Sequence, residues 1–135
     1  MTVSQLVKLN IIIVDDHLVF REGLRTIISQ ENIANVVAEA SNGLEFLDLL
    51  VTQKPDLVLM DIDMPTMNGL EAAEKALKIM PDLKILIYTM FGDEEYYKKM
   101  VELGVAGYIL KSSNINELEN AIQTIMSVGK YFPPT

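Results

Sequence analysis

The stretch LVLMDIDMPTMNG, residues 57–69, is an apolar run that ends abruptly in the carboxylate of Asp61. A second carboxylate, Asp63, follows two positions later, and Pro65 and Gly69 mark the turn beyond it. An unbroken apolar run bounded by turn residues is typical of a strand that is buried on both faces, as in a parallel sheet. An Asp at the tip of such a strand can form a turn, bind a metal ion or act as a nucleophile. The residues at the ends of the other predicted strands help to distinguish between these roles.

Four further apolar runs punctuate the chain, and five segments with helical spacing alternate with the runs. The runs are NIIIV from Asn10, VVAEA from Val36, KILIY from Lys84 and VAGYIL from Val105. The helical segments are 18–30, 43–53, 68–80, 92–103 and 114–128, with Ser41 and Asn114 as expected N-caps. This alternation predicts a doubly wound α/β fold with helices on both faces of a parallel sheet.

The composition restricts the classes of function. A chain of 135 residues fits one domain, and its formal net charge of −8 makes it a poor candidate for direct binding to nucleic acid or anionic membranes. It has no Cys, which excludes a disulfide scaffold and a thiolate site. The N-terminus lacks the pattern of a secretory signal, and no apolar run approaches the roughly 20 residues that cross a bilayer. We therefore expect a soluble cytoplasmic domain.

Polar residues follow four of the five predicted strands. Asp15 and Asp16 follow the first, Asp61 the third, Thr89 the fourth and Lys111 the fifth. Ligands of open parallel sheets bind beyond the carboxyl ends of the strands, so these side chains should converge. Each residue alone could be an ordinary turn former or surface residue, but their coincidence in four segments favours a site.

The chemistry of this set suits a site that accepts a phosphoryl group. Three clustered carboxylates need a counter-charge, and Mg²⁺ prefers one or two carboxylates with carbonyl, water and phosphate oxygens. A carboxylate beside Mg²⁺ can attack phosphorus and form an aspartyl-phosphate. The Lys111 ammonium and the Thr89 hydroxyl could then bind phosphoryl oxygens.

The motifs VDDH, LMDIDMPTMNG, YTM and YILK occur in the order and at the spacing of a known family. The chain resembles the receiver domain of bacterial two-component response regulators, and its opening and its GKYFPP tail resemble the NarL/FixJ-type subfamily. The resemblance implies a flavodoxin-like fold with five helices and strand order 2-1-3-4-5. It implies an N-terminal extension over 1–9, a receiver domain over 10–128, and the start of a linker or a C-terminal tail over 129–135.

The resemblance also implies the ligands of a Mg²⁺ cofactor. It makes Asp61 the phosphoacceptor and Asp16 a direct metal ligand, while Asp15 assists through water. The backbone carbonyl of Asp63 would complete the protein ligands, so the identity of its side chain should matter less. Gly69 is expected to shape the loop by adopting a positive φ.

The remaining roles concern the phosphoryl group and the response to it. By resemblance, Thr89 and Lys111 contact the phosphoryl group, and Thr89 and Tyr108 form a switch pair in which the hydroxyl moves towards the phosphate and the ring turns inward. The surface of the fourth helix, fifth strand and fifth helix would change with them. The fourth helix has few apolar residues, so we expect it to be mobile, with Tyr96 and Tyr97 on its surface.

The expected partners follow from the same resemblance. The phosphoryl group would come from a histidine kinase or a small phosphodonor, and phosphorylation could produce a homodimer. Output would be transcription through a C-terminal helix-turn-helix domain absent from this chain, so DNA would be bound only through that domain. The chain itself would catalyse only its own phosphorylation and slow dephosphorylation. His17 is interpreted as an exposed residue that orients its loop, because the oxygen ligands already suffice for Mg²⁺.

Two other functions compete with this interpretation. A phosphatase of the haloacid dehalogenase type also uses a strand-end Asp in a DxD pair, here Asp61 and Asp63, but that motif belongs at the first strand and here it follows the third. A receiver fold that is never phosphorylated is the second, although such domains usually lose one of the acidic residues, Thr or Lys. Phe91, two residues past Thr89, occupies a place that is variable in the family and is associated with the lifetime of the phosphate.

Overall fold

The structure, a computed structural model that describes residues 9–90 and 94–132, contains five strands that alternate with five helices. The strands are β1 (Asn10–Val14), β2 (Asn35–Ala40), β3 (Leu57–Met60), β4 (Ile85–Thr89) and β5 (Gly107–Leu110). The helices are α1 (Leu18–Gln30), α2 (Gly43–Leu49), α3 (Gly69–Ile79), α4 (Glu94–Leu103) and α5 (Ile115–Val128). Within the described residues, no helix has both the length and the apolar character needed to cross a membrane.

All five strands join one parallel sheet in the order β2-β1-β3-β4-β5, which confirms the predicted flavodoxin-like fold class. The order reverses between β1 and β3, so the loops that leave these two strands diverge and open a crevice at their carboxyl ends. Every residue of β3 and β4 is buried, as the unbroken apolar runs predicted.

The core consists of two layers, one on each face of the sheet. Side chains of β1 alternate between them: Ile11 and Ile13 face one layer, and Ile12 and Val14 face the other. The first layer is closed by α1 and α5. The second is closed by α2, α3 and α4, and three fully buried alanines on α3 allow that helix to approach the sheet closely: Ala72, Ala73 and Ala76.

Helix caps agree with the sequence at one predicted position and differ at the other. Asn114 caps α5 by accepting a hydrogen bond from the Glu117 N–H at 2.8 Å, as predicted. At α2 the N-cap is Asn42 and not Ser41. The Ser41 amide and hydroxyl instead donate to the Glu45 carboxylate, and these hydrogen bonds lower the pKa of Glu45.

Helix α4 is better anchored than its polar sequence suggests. Met100 is fully buried, and Tyr97 is half-buried between two other rings. The Tyr97 ring lies edge to face with Tyr108, at 5.1 Å between centroids, and with Phe132, at 6.0 Å. The expectation that Tyr97 is a surface residue is therefore wrong.

The segment after α5 packs against the sheet. Gly129 ends α5 with φ 99°, a left-handed conformation that glycine adopts without strain. Tyr131 then forms a parallel bridge with Gly107, its N–H donating to the Ala106 carbonyl at 2.8 Å and its carbonyl accepting from the Tyr108 N–H at 3.3 Å. Phe132 therefore joins this segment to α4, and the Tyr131 bridge joins it to β5.

Candidate functional site

Backbone hydrogen bonds between neighbouring strands fix the polar residues at one edge of the sheet. The Asp61 N–H donates to the Val14 carbonyl at 3.0 Å, and the Asp15 N–H donates to the last residue of β2 at 3.0 Å. The Lys111 N–H donates to the Thr89 carbonyl at 2.7 Å. Each of these residues therefore extends the ladder just beyond its strand, where the predicted site was expected.

Lys111 joins two buried carboxylates. Its Nζ lies 2.6 Å from Asp15 Oδ2 and 3.1 Å from Asp61 Oδ2. All three side chains are at most 6% exposed, so their charges are poorly screened by water. The other Asp61 oxygen, Oδ1, accepts from the Ile62 N–H at 2.8 Å. The ammonium thus neutralises charge that the sequence predicted would need a counter-charge.

An aromatic ring lies next to the Lys111 ammonium, and this contact was not predicted from the sequence. Lys111 Nζ lies 4.3 Å from the centroid of the Phe20 ring, a cation–π arrangement, and Phe20 in turn contacts Tyr88 at 5.9 Å between centroids. Burial, and after it the charge of Asp15, raises the pKa of Tyr88. Phe20 lies in the predicted helical segment 18–30, and helical spacing indicates a buried face but not a contact with a distant lysine.

Among the described residues, Asp16 supplies a buried carboxylate oxygen, Oδ1, that makes no hydrogen bond, although His17 Nδ1 lies 3.3 Å away. Ligand atoms of Asp15, Asp16, His17 and Asp61 all lie within 4.8 Å of one another. An unsatisfied buried carboxylate oxygen is costly unless a cation or donor binds it, so the cluster fits a hard divalent cation.

His17 lies beside this cluster but is largely exposed. The His17 backbone N–H donates to Asp15 Oδ1 at 2.8 Å, and the ring Nδ1 is 3.2 Å from the same oxygen. The ring therefore contacts the acidic loop from the solvent side. The predicted exposure of His17 is confirmed, whereas its role in orienting the loop stays a prediction, and its ring nitrogen belongs to the set of clustered ligand atoms.

The other predicted residues differ in burial. Thr89 is buried at the end of β4, and Tyr108 is buried in β5. The Asp63 side chain is exposed and does not belong to the acidic cluster found within residues 9–90 and 94–132. Phe91 lies outside the described residues.

The loop after β3 corrects the expectation for Gly69. Positive φ occurs at Thr66 (φ 69°) and not at Gly69, where a Cβ would instead lie 2.2 Å from the Asp61 carbonyl oxygen. The Gly69 N–H also donates to the Ile62 carbonyl at 2.8 Å. Glycine is required here because the first turn of α3 closes directly onto the backbone of Asp61.

Replacing Lys111 by Met should destabilise the metal-free protein by about 3 kcal/mol, because two buried carboxylates lose their partner. Millimolar Mg²⁺ should restore much of the loss by supplying another counter-charge. The control is Lys75→Met, which removes an exposed ion pair with Glu71 and should change stability by less than about 0.5 kcal/mol. Urea unfolding with and without Mg²⁺ measures both, and equal losses in the two variants would contradict the prediction.

These features define a class: a flavodoxin-like α/β domain whose acidic, lysine-bridged site lies where the strand order reverses. The family model described as "Response regulator receiver domain" matches residues 11–123. The chain therefore belongs to the response regulator receiver domain family, the signalling domains of two-component systems, as its motifs indicated.

Individual relatives agree with this assignment. The chain is 36% identical over 127 residues to the transcriptional regulatory protein DegU of Brevibacillus brevis, and 42% identical over 124 residues to the oxygen regulatory protein NreC of Staphylococcus aureus. These matches cover 94% and 91% of the chain, but only 54% and 57% of the relatives, so the chain spans about half their length. A LuxR-family two-component response regulator from Aurantimonas has a similar structure, with a TM-score of 0.88, 35% identity and coverage of 94% and 90% of the two chains.

Proposed function

We propose that Asp61 accepts a phosphoryl group in a Mg²⁺-dependent reaction and that the chain is a phosphorylation-controlled switch. The observation that carries the proposal is the buried Asp61 carboxylate, which Lys111 Nζ contacts at 3.1 Å near an Asp16 oxygen that makes no hydrogen bond among the described residues. A nucleophile, a cation already directed at it and a vacant anionic ligand are what phosphoryl transfer to a carboxylate requires.

Asp15, Asp16, Asp61 and the backbone carbonyl of Asp63 would hold the cofactor. When bound, Mg²⁺ neutralises charge on the carboxylates and on the transferring phosphoryl oxygens. The proximity of the Asp15, Asp16 and Asp61 oxygens supports a shared cation.

In the transfer, an Asp61 oxygen forms a bond to phosphorus as the donor's bond to phosphorus breaks and its electron pair leaves with the donor. Lys111 is shared between two carboxylates before transfer, and the new phosphoryl oxygens offer it a more highly charged partner. The Thr89 hydroxyl, at the end of β4, would bind another phosphoryl oxygen.

The response to phosphorylation would pass through Tyr108. Its ring is already buried in this structure, edge to face with Tyr97 of α4. When Thr89 moves towards the phosphoryl group, the Tyr108 ring repacks, and α4 shifts through its contact with Tyr97. The surface of α4, β5 and α5 then differs between the two states, and a partner or a second copy of the chain could distinguish them.

Incubation with acetyl phosphate and Mg²⁺ tests the proposal. Intact mass should increase by one phosphoryl group, hydroxylamine should remove it as expected for an acyl-phosphate, and EDTA should prevent its formation. The receiver family membership argues against the haloacid dehalogenase alternative. A receiver that is never phosphorylated would show no mass increase at any Mg²⁺ concentration, and that result would overturn the proposal.

The wider role is proposed from the relatives. A histidine kinase or a small phosphodonor would supply the phosphoryl group in the cytoplasm, and the chain would catalyse only its own phosphorylation and slow hydrolysis. DegU is named as a transcriptional regulatory protein and is about twice as long as the matched region, which supports a DNA-binding output domain after a receiver over 10–128. Residues 129–135 would begin the linker or tail.

A further inference from the structure

Arg21 of α1 links three elements behind the acidic site. Its Nε donates to Glu39 Oε1 of β2 at 2.9 Å, and its Nη1 donates to the backbone carbonyl of Asp15. The Arg21 side chain is 13% exposed and that of Glu39 is 18% exposed, so this is a mostly buried pair. Such a pair holds its geometry better than an ion pair in open water.

Arg25, one turn further along α1, offers an internal comparison. Its Nη1 binds the other oxygen of the same carboxylate, Glu39 Oε2, at 2.5 Å. Its side chain is 56% exposed, and in the described part of the chain it bonds Glu39 alone. The two arginines share a partner and a helix face, but only Arg21 reaches the loop that carries the acidic residues.

Two hydrogen bonds hold the loop at Asp15, one to its backbone N–H and one to its backbone carbonyl. The Asp15 N–H donates to the Ala40 carbonyl, and the Asp15 carbonyl accepts from Arg21, which Glu39 holds. Both anchors therefore come from consecutive residues of β2. Neighbouring carboxylates repel one another and would push the loop outward, so fixed backbone anchors are needed to keep their oxygens together.

We propose that Arg21 is a positioning residue for the divalent-cation site, holding the Asp15–Asp16 loop through the Asp15 carbonyl, with Glu39 orienting the guanidinium. The inference rests on the proposed function, because it concerns the same cation. Arg21 contacts neither the cation ligand atoms nor the reacting carboxylate, and it acts on affinity through the backbone that carries them.

The direction in which Mg²⁺ affinity changes when Arg21 is removed distinguishes a positioning role from a purely electrostatic one. A nearby cation repels a divalent metal ion, so an Arg21 that acted only by its charge would weaken metal binding, and its removal would tighten it. Positioning predicts the opposite, since a released loop must be ordered again when the metal binds. Glu39 offsets the charge of Arg21 and leaves the positioning effect dominant.

The test compares Arg21→Gln with Arg25→Gln by Mg²⁺ titration, using calorimetry and amide NMR shifts of the folded protein. Arg21→Gln should weaken Mg²⁺ binding about tenfold, the lower end of what residues that orient metal ligands contribute. Arg25→Gln should stay within about twofold, as expected for an exposed ion pair. Arg21→Lys should be intermediate, because an ammonium can bind the Asp15 carbonyl but cannot hold both partners in a fork. Unchanged or tighter binding in Arg21→Gln would overturn the inference.

Two features keep the outcomes distinct. If the wild type neither binds Mg²⁺ nor accepts a phosphoryl group, the proposed function fails; if it does both and Arg21→Gln equals it, only the positioning role fails. Should Arg21→Gln not fold, Arg21→Lys takes its place, since it keeps the positive charge but cannot bind Glu39 and the Asp15 carbonyl in a fork. A charge effect alone predicts no change in this variant, so Mg²⁺ binding equal to that of the wild type would also refute the inference.

Discussion

Replacing Asp61 by Asn should lower phosphoryl labelling from acetyl phosphate by more than about a hundredfold, because an amide is not a competent nucleophile. The substitution keeps the size of the side chain and an oxygen that can accept from the Ile62 N–H. Fold and stability should therefore be nearly preserved. Intact-mass spectrometry after incubation with donor and Mg²⁺ measures the loss directly.

The matched control is Asp56→Asn, at the opposite end of β3. Asp56 is exposed and its Oδ2 accepts from the Asn10 N–H at 2.7 Å, far from the acidic cluster, so labelling should match the wild type. Asp63→Asn should also be labelled, since its proposed contribution is a carbonyl that the substitution retains. Equal labelling of the Asp61 variant and the wild type would assign the acceptor to another residue.

Replacing Gly69 by Ala should destabilise the protein by about 1–3 kcal/mol, the usual cost of overpacking a site where backbone must move. The added Cβ would lie 2.2 Å from the Asp61 carbonyl oxygen and 2.9 Å from Ile62 Cα. Neither atom belongs to a flexible side chain that could move aside, so α3 or the loop after β3 has to shift. Because that loop begins at Asp61, the proposed phosphoacceptor, Mg²⁺ affinity should fall as well.

The control Gly23→Ala should change the free energy of unfolding in the opposite direction. Gly23 lies inside α1, and a Cβ there meets nothing within 4 Å. Ala is favoured over Gly in a helix interior, so stability should rise by about 0.5–1 kcal/mol. Denaturant unfolding of both variants measures the difference. A Gly69 variant as stable as the wild type would mean that the close approach to Asp61 is not tight.

The strands and the order of elements were predictable because each carries a strong local signal. Unbroken apolar runs identified β3 and β4, and helical spacing identified α1 and α5. Exposure was less predictable within a helix: Leu18 and Ile27 belong to the apolar stripe of α1 but are substantially exposed, while Leu24 and Ile28 are buried. Periodicity predicts a buried face but not how far the sheet covers it.

The convergence of Asp15, Asp61 and Lys111 was predictable for a different reason. Parallel strands end at the same edge, so the residue after each strand has a known place once the strands are known. The contacts that support this edge of the sheet cannot be predicted from the positions of the residues in the sequence. Arg21 occupies a polar place on α1, and only the approach of β2 brings Glu39 to it. Gly69 signals a turn in the sequence, whereas its steric contact with Asp61 depends on how α3 docks.

The bridge from Tyr131 to Gly107 also covers part of an edge strand that could otherwise pair with another copy of the protein. β5 is the last strand of the sheet, and a bare outer strand presents unpaired N–H and C=O groups that can recruit strands from other molecules. Tyr131 uses two of these groups, the Ala106 carbonyl and the Tyr108 N–H, and a Cβ on Gly107 would lie only 2.7 Å from the Tyr131 carbonyl. The segment after α5 thus covers the beginning of this outer edge, and a shortened form of the domain without it should aggregate more readily.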